Sequence, residues 1–223
     1  MSEVKHEKQT PPPPPRKPKQ RLSAEARRER IAEVAMEVFA DKGYEGTSIG
    51  EIARAADITR PVVYDHFRDK KELYLWLLER ERNRAVEHVT ARLKADAPAA
   101  VRIWRAIDAF FNYAEEHPFA WRMLFRESTG DAEIVEAHRQ IQAGAHMVGA
   151  ASLARELSMK SAYDQDEQLK IEMLAELWGS ALKGLARWWY DRRDVPRAEL
   201  VSAAMDTLWV GLERLRTGER WQP

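Results

Sequence analysis

Between Ser23 and Asp69 the chain carries four helix-starting residues, spaced so closely that the second and third helices must be short. An N-cap is a Ser, Thr, Asp or Asn whose side-chain oxygen accepts from an amide that the first helical turn leaves unpaired. Ser23 precedes a run in which Ile31, Ala35, Val38 and Phe39 recur at helical spacing, and Gly43 stops that run, which predicts a helix over 24–42. Thr47 or Ser48 opens a second helix to Ala55, with Ile49, Ile52 and Ala53 facing inward. Thr59 opens a third, Arg60 to Phe67, with Pro61 in the first turn, where a missing amide costs little. Asp69 opens a fourth, whose apolar stripe runs through Leu73, Leu77 and Leu78. Two short capped helices joined by a turn of three or four residues have the geometry of a helix-turn-helix. Ala53 is small enough for two helices to cross closely, and Ile58 and Val63 fill the angle between them. This leaves Arg60, Val62, Tyr64 and His66 on the free face of the third helix. A cation, an apolar methyl group and hydrogen-bonding rings together suit a DNA groove, which offers phosphates, base edges and thymine methyls.

Beyond residue 80 the pattern stays helical. Pro98, Pro118 and Pro196 stand at or near helix starts, and Gly130-Asp131 breaks another run. The expected spans are 69–94, 98–116, 118–127, 131–159, 164–193 and 196–217, with no alternation of period two long enough for a strand. The fold class expected is all-α: a helix-turn-helix head over 23–76 and a larger helical body over 77–223. Residues 1–22 read as a disordered tail, because Pro11 to Pro15 and Pro18 allow only extended backbone and almost nothing there is apolar. That tail is either a solvated leader or a basic arm that touches DNA through Arg16, Lys17, Lys19 and Arg21.

Formal net charge is zero, yet residues 1–30 carry nine basic and four acidic groups, a net +5 that the rest of the chain offsets with −5. A positive end on an acidic body suits a two-domain binder. The absence of cysteine excludes disulfides and thiol chemistry. No run is apolar enough to span a bilayer and no signal peptide opens the chain, so a cytoplasmic protein is expected. Enzymatic readings find no support: the chain has no Gly-rich phosphate loop, nucleophile elbow or His-Glu-x-x-His helix. His138 and His146 stand eight residues apart without an acidic ligand at helical spacing, so neither a metal nor a cofactor is expected. A purely structural helical bundle is the remaining rival, and it has no need of a free Arg-Val-Tyr-His face.

Residues 28–80 resemble the N-terminal domain of the TetR/AcrR family of bacterial transcription regulators. Ile31 to Gly43-Tyr44 resembles the family's first helix, and Thr47-Ser48-Ile49-x-Glu51-Ile52-Ala53 its second. Val63-Tyr64-x-His66-Phe67-x-x-Lys70-x-Glu72-Leu73 resembles its third helix and the start of its fourth. The resemblance implies a homodimer on a palindromic double-stranded operator. It places Thr59, Arg60, Val62 and Tyr64 near bases or adjoining phosphates, and Thr47, Tyr64, His66 and Lys70 on the DNA backbone. Repression, relieved by a small effector, is the family's usual mode. Asp57 stands where many members carry Gly in the turn; Asp tolerates left-handed backbone better than most residues.

Seven of the eight tryptophans lie between Trp104 and Trp221. Such aromatics are either plain core or, as the resemblance implies, the walls of an effector pocket formed by Trp104, Ile107, Phe111, Trp121, Phe125, Ile141, Met147, Met173 and Trp178. An apolar pocket implies a lipophilic effector such as an acyl chain or an aromatic molecule. In the last two long helices, Leu182, Leu185, Trp189, Leu200, Ala204, Leu208 and Gly211 read as a dimer surface. The alternative is that they close the protomer's own core.

Overall fold

The computed structural model describes residues 23–92, 97–126, 130–141 and 165–211, and among these it is helices and turns with no strand. Helix α1 (Ala24–Lys42) opens where Ser23 Oγ accepts from the Ala26 amide at 3.1 Å. It closes at Gly43, whose φ of +76° turns the chain while its N–H bonds to the Phe39 carbonyl. Helix α2 (Ile49–Ala55) is capped by Ser48 rather than Thr47. Ser48 Oγ accepts from the Glu51 amide and the Glu51 carboxylate accepts from the Ser48 amide, a reciprocal box worth about 0.5–2 kcal/mol on the scale of measured caps. Helix α3 (Arg60–Tyr64) is shorter than its predicted span. The chain turns at Asp65 and His66 so that Phe67, 1% exposed, enters the core. Asp57 adopts φ +54°, the left-handed turn in which Asp was expected to stand in for Gly.

Helix α4 (Lys70–Thr90) starts where the Asp69 carboxylate accepts from the Glu72 amide at 2.8 Å. Then follow α5 (Ala99–Glu116), α6 (Pro118–Phe125), α7 (132–141), α8 (Gln165–Tyr190) and α9 (Arg197–Ala204). The last widens into a π turn over Met205–Trp209, which brings both Leu208 and Trp209 against the core. The Pro-rich tail, His146, Met147 and the C-terminal part of the expected seventh helix lie outside the described residues.

Among the described residues two large apolar cores result, with a small third cluster where Leu174, Trp178 and Trp209 pack around Ala175. The first joins head residues Ile31, Phe39, Ile52, Val63, Phe67, Leu73 and Leu77 to Met123 and Leu124 of α6 and Ile134 and Ile141 of α7. The second joins Ile103, Ile107 and Phe111 of α5 to Trp121 of α6, Trp189 of α8 and Leu200, Val201 and Ala204 of α9.

That second core takes up part of the expected dimer surface. Trp189, Leu200 and Ala204 are at most 3% exposed in the single chain, and Leu182, Leu185 and Leu208 pack against them. The strongly amphipathic α5 needs a cover, and α8 and α9 supply it. Of the expected interface only Gly211 is exposed. The apolar residues left open on α8 lie on its other side: Leu169, Met173, Leu177 and Trp188, between 44% and 64% exposed, with Gly184 in open space. On the α9 segment Val210 is 51% exposed.

Candidate nucleic-acid interface

Helix α3 is anchored by Val63 and leaves Arg60, Pro61 and Tyr64 exposed. Val63 is fully buried, whereas its neighbour Tyr64 is 51% exposed. Thr59, Arg60 and Pro61 are exposed, and Val62 and His66 half-buried, so the expected reading face is open to solvent. Thr59 caps the helix by backbone position alone; its hydroxyl makes no capping bond. The Arg60 guanidinium lies back over Gly50 at the start of α2, where a Cβ would stand 2.5 Å from Nη2. Glycine at 50 therefore lets the expected base-reading arginine lie along α2. The exposed Asp65 caps the helix C-terminus.

Side chains that sequence reasoning did not single out stiffen this face. Arg28 on α1 donates to the His66 carbonyl at 3.0 Å and stacks over Phe67, its Cζ 4.3 Å from the ring centroid. Such a bond fixes the chain where α3 ends. Arg28 stands far from His66 in sequence, with no local pattern to announce the pair.

Two residues expected on the DNA backbone are braces of the head itself. Thr47 is 3% exposed, and its hydroxyl donates to the Gly43 carbonyl at 2.7 Å. That hydroxyl is turned inward, because the tight turn after α1 leaves a carbonyl that needs a donor. The Lys70 ammonium donates to the Tyr44 and Thr47 carbonyls at 2.8 and 3.0 Å and sits 4.1 Å from the Tyr44 ring centre. Two of its three protons are thus committed within the protein. The Glu51 carboxylate accepts from Lys42 at 2.5 Å, and this bond, followed by those from Ser48, holds its pKa down at about 2. Glu51 stays ionised beside the expected DNA surface and offsets Lys42.

The residues expected to line an effector pocket do not share one chamber. Ile107, Phe111 and Trp121 are at most 4% exposed and close-packed in the second core. Trp104 (47% exposed) and Met173 (51%) face outward, Trp178 packs at the edge of that core, and Met147 lies outside the described residues. Phe125 and Ile141 do border a cavity, a groove of 530 Å³ between α4, α6 and α7. Ala85, Val86 and Leu124 add to its apolar wall, and Arg82, Asn83, Glu87 and Thr90 line the remainder. Trp104 borders a second groove of 510 Å³ against α9. Among the described residues no cluster of His, Asp or Glu could hold a metal, and no helix is long and apolar enough to cross a membrane.

Comparison with known proteins agrees with this geometry. Residues 31–76 match the family model for bacterial regulatory proteins of the tetR family, and residues 99–211 the model for the tetracyclin repressor-like C-terminal domain. The chain is 36% identical over 105 residues to the transcriptional activator FasR of Mycolicibacterium smegmatis, covering 47% of this chain and 48% of that protein. It is 37% identical over 81 residues to the probable acrEF/envCD operon repressor of Escherichia coli, covering 34% of this chain and 37% of the other. These matches span about half the length of those relatives or less. A TetR-like regulator from Rhodococcus superposes with a TM-score of 0.69 at 24% identity, covering 89% of this chain and all of the other. The fatty acid degradation regulator FadR from Bacillus halodurans does so with a TM-score of 0.68 at 15% identity over 82% and 94% of the two chains. With a helix-turn-helix head, a helical body and a family model for each of them, the chain belongs to the TetR family of DNA-binding transcription regulators.

Proposed function

We propose that the protein is a homodimeric repressor that reads an inverted-repeat operator through α3 and lets go of it when a small lipophilic molecule binds the body. Residues 23–76 serve the first role and 77–223 the second. The carrying observation is α3 itself: Val63 is fully buried while Tyr64 next to it is half exposed, so the helix is fixed with its polar face outward. On this reading Thr59, Arg60 and Val62 meet bases, and Tyr64 and His66 meet bases or phosphates. The tail's Arg16, Lys17, Lys19 and Arg21 add backbone contacts. The effector site is the groove of α4, α6 and α7, whose wall is mostly apolar. The second protomer covers the open stripe Leu169, Met173, Leu177 and Trp188 of α8.

Selection of bound duplexes from a random pool tests the reading. The expected product is an inverted repeat with half-site centres about 34–36 Å apart, bound by a particle of about twice 25.8 kDa in sedimentation. An acyl or aromatic compound that quenches tryptophan should then loosen that duplex by roughly 5- to 150-fold. A monomer, or no enrichment over random sequence, refutes the reading. Since one relative is named an activator, a reporter carrying the selected site decides the sign: repression predicts a rise in expression when the gene for this protein is deleted.

A further inference from the structure

Helix α6 has eight residues and contributes to both cores. Ala120, Met123 and Leu124 enter the first, Trp121 enters the second, and Phe125 packs against each. Within α6, Trp121 lies tilted against Phe125 at 4.0 Å between ring centroids, and on the body side it meets Phe110 of α5 edge-on at 4.7 Å. On the head side the helix ends at Arg126, whose Nη1 donates to the Ala40 and Asp41 carbonyls at 3.1 and 3.2 Å. These carbonyls belong to the last turn of α1, where backbone acceptors lack intrahelical partners and carry the negative end of the helix dipole. The guanidinium fills the space above Gly43, where a Cβ would stand 3.1 Å from its Cζ. A planar cation with several donors in a fixed fork suits this position better than a lysine, which would arrive as a single point charge.

We propose that Arg126 is a positioning residue that ties the end of α6 to the end of α1, so that a displacement of Trp121 and Phe125 in the body turns the head. The route runs through α6 and α1, beside whatever α4 transmits. It deepens the regulatory reading above, but its test needs neither DNA nor effector, so the two fail separately.

The chain contains no cysteine, so Arg54→Cys on the head and Glu199→Cys on α9 admit one spin label each. Labelled chains diluted into unlabelled protein report the head-to-body distance within one chain, whether or not it dimerises. Arg126→Ala and Arg126→Gln should keep the helix content but broaden that distance distribution and shift it by about 1–2 Å or more, the scale of helix shifts in switching proteins. Arg126→Lys should restore part of the wild-type distribution. Trp121→Phe, which shrinks the ring on the body side, should shift the distance when Arg126 is present and not in the Arg126→Ala background. An unchanged distribution in whichever of the Ala and Gln variants folds overturns the proposal. So does a Trp121→Phe shift that is absent with Arg126, or equal in both backgrounds.

Discussion

Val63 and Tyr64 show how much one position along a short helix decides. The first is locked in the core and the second is presented, so Tyr64→Ala removes surface without touching the packing. That substitution should cost about 1–3 kcal/mol of operator binding with the thermal midpoint unchanged, by titration and calorimetry respectively. An equal loss of stability would place the ring in the core instead. Lys70→Ala behaves differently, since it strips donors from the Tyr44 and Thr47 carbonyls and weakens the head before any phosphate is considered. His138 is another residue whose role follows from burial. It is 4% exposed, its Nε2 is 2.9 Å from the Tyr74 hydroxyl, and burial pushes its pKa below the ordinary 6.5. Its proton is therefore bound more readily by the unfolded chain. Its contribution to stability is complete above pH 6.5 and is lost as pH falls through the lower folded value. Urea midpoints compared at about pH 7.5 and about pH 5.5 should fall less in His138→Gln than in wild type. Some fall should remain, because burial, with Arg92 nearby, lowers His88 as well.

At the scale of elements, α8 carries two apolar faces, one covered within the chain and one open. Trp189, Leu182 and Leu185 close over α5 in the same chain, whereas Leu169, Met173 and Leu177 repeat every four residues on the open side. Leu177→Asp, at a position 64% exposed, should turn the dimer into a folded monomer in sedimentation. Leu200→Asp, at 2% exposure, should unfold the body instead. A dimer that survives Leu177→Asp would move the interface elsewhere. The same spacing of 169, 173 and 177 was present in the sequence. A helix with two apolar stripes must be covered on both, and periodicity does not say which stripe meets its own chain; Met173, expected at an effector pocket, lies on the open one.

For the whole molecule, the apolar packing does not stop where the expected domains meet. The first core includes Tyr113 of α5, Met123 and Leu124 of α6 and Ile134 and Ile141 of α7, all beyond residue 76. Lys71 at the start of α4 is paired with Asp131 at 2.9 Å and Glu133 at 3.1 Å, which raises its pKa further. A fragment of residues 23–78 should therefore show much less helix by circular dichroism than the same residues contribute in the intact chain. A fragment that folds cooperatively by itself would show that the α6–α7 side of this core is dispensable.

Several features were legible from residue order because their causes are local. Caps at Ser23, Ser48 and Asp69, the stop at Gly43 and the left-handed turn at Asp57 depend on bonds and torsions within a few residues. They placed α1, α2 and the start of α4, and with them the helix-turn-helix and its outward face. The length of α3 was less legible, since its end depends on Phe67 finding a place under Arg28. Tertiary structure alone decided which apolar stripe of α8 is free, that Thr47 and Lys70 turn inward, and that α6 belongs to two cores. Each of these depends on the pairing of surfaces far apart in sequence. Apolar burial is non-directional, so a stripe shows that a helix must be covered, while the cover is chosen by the packing of all the helices together.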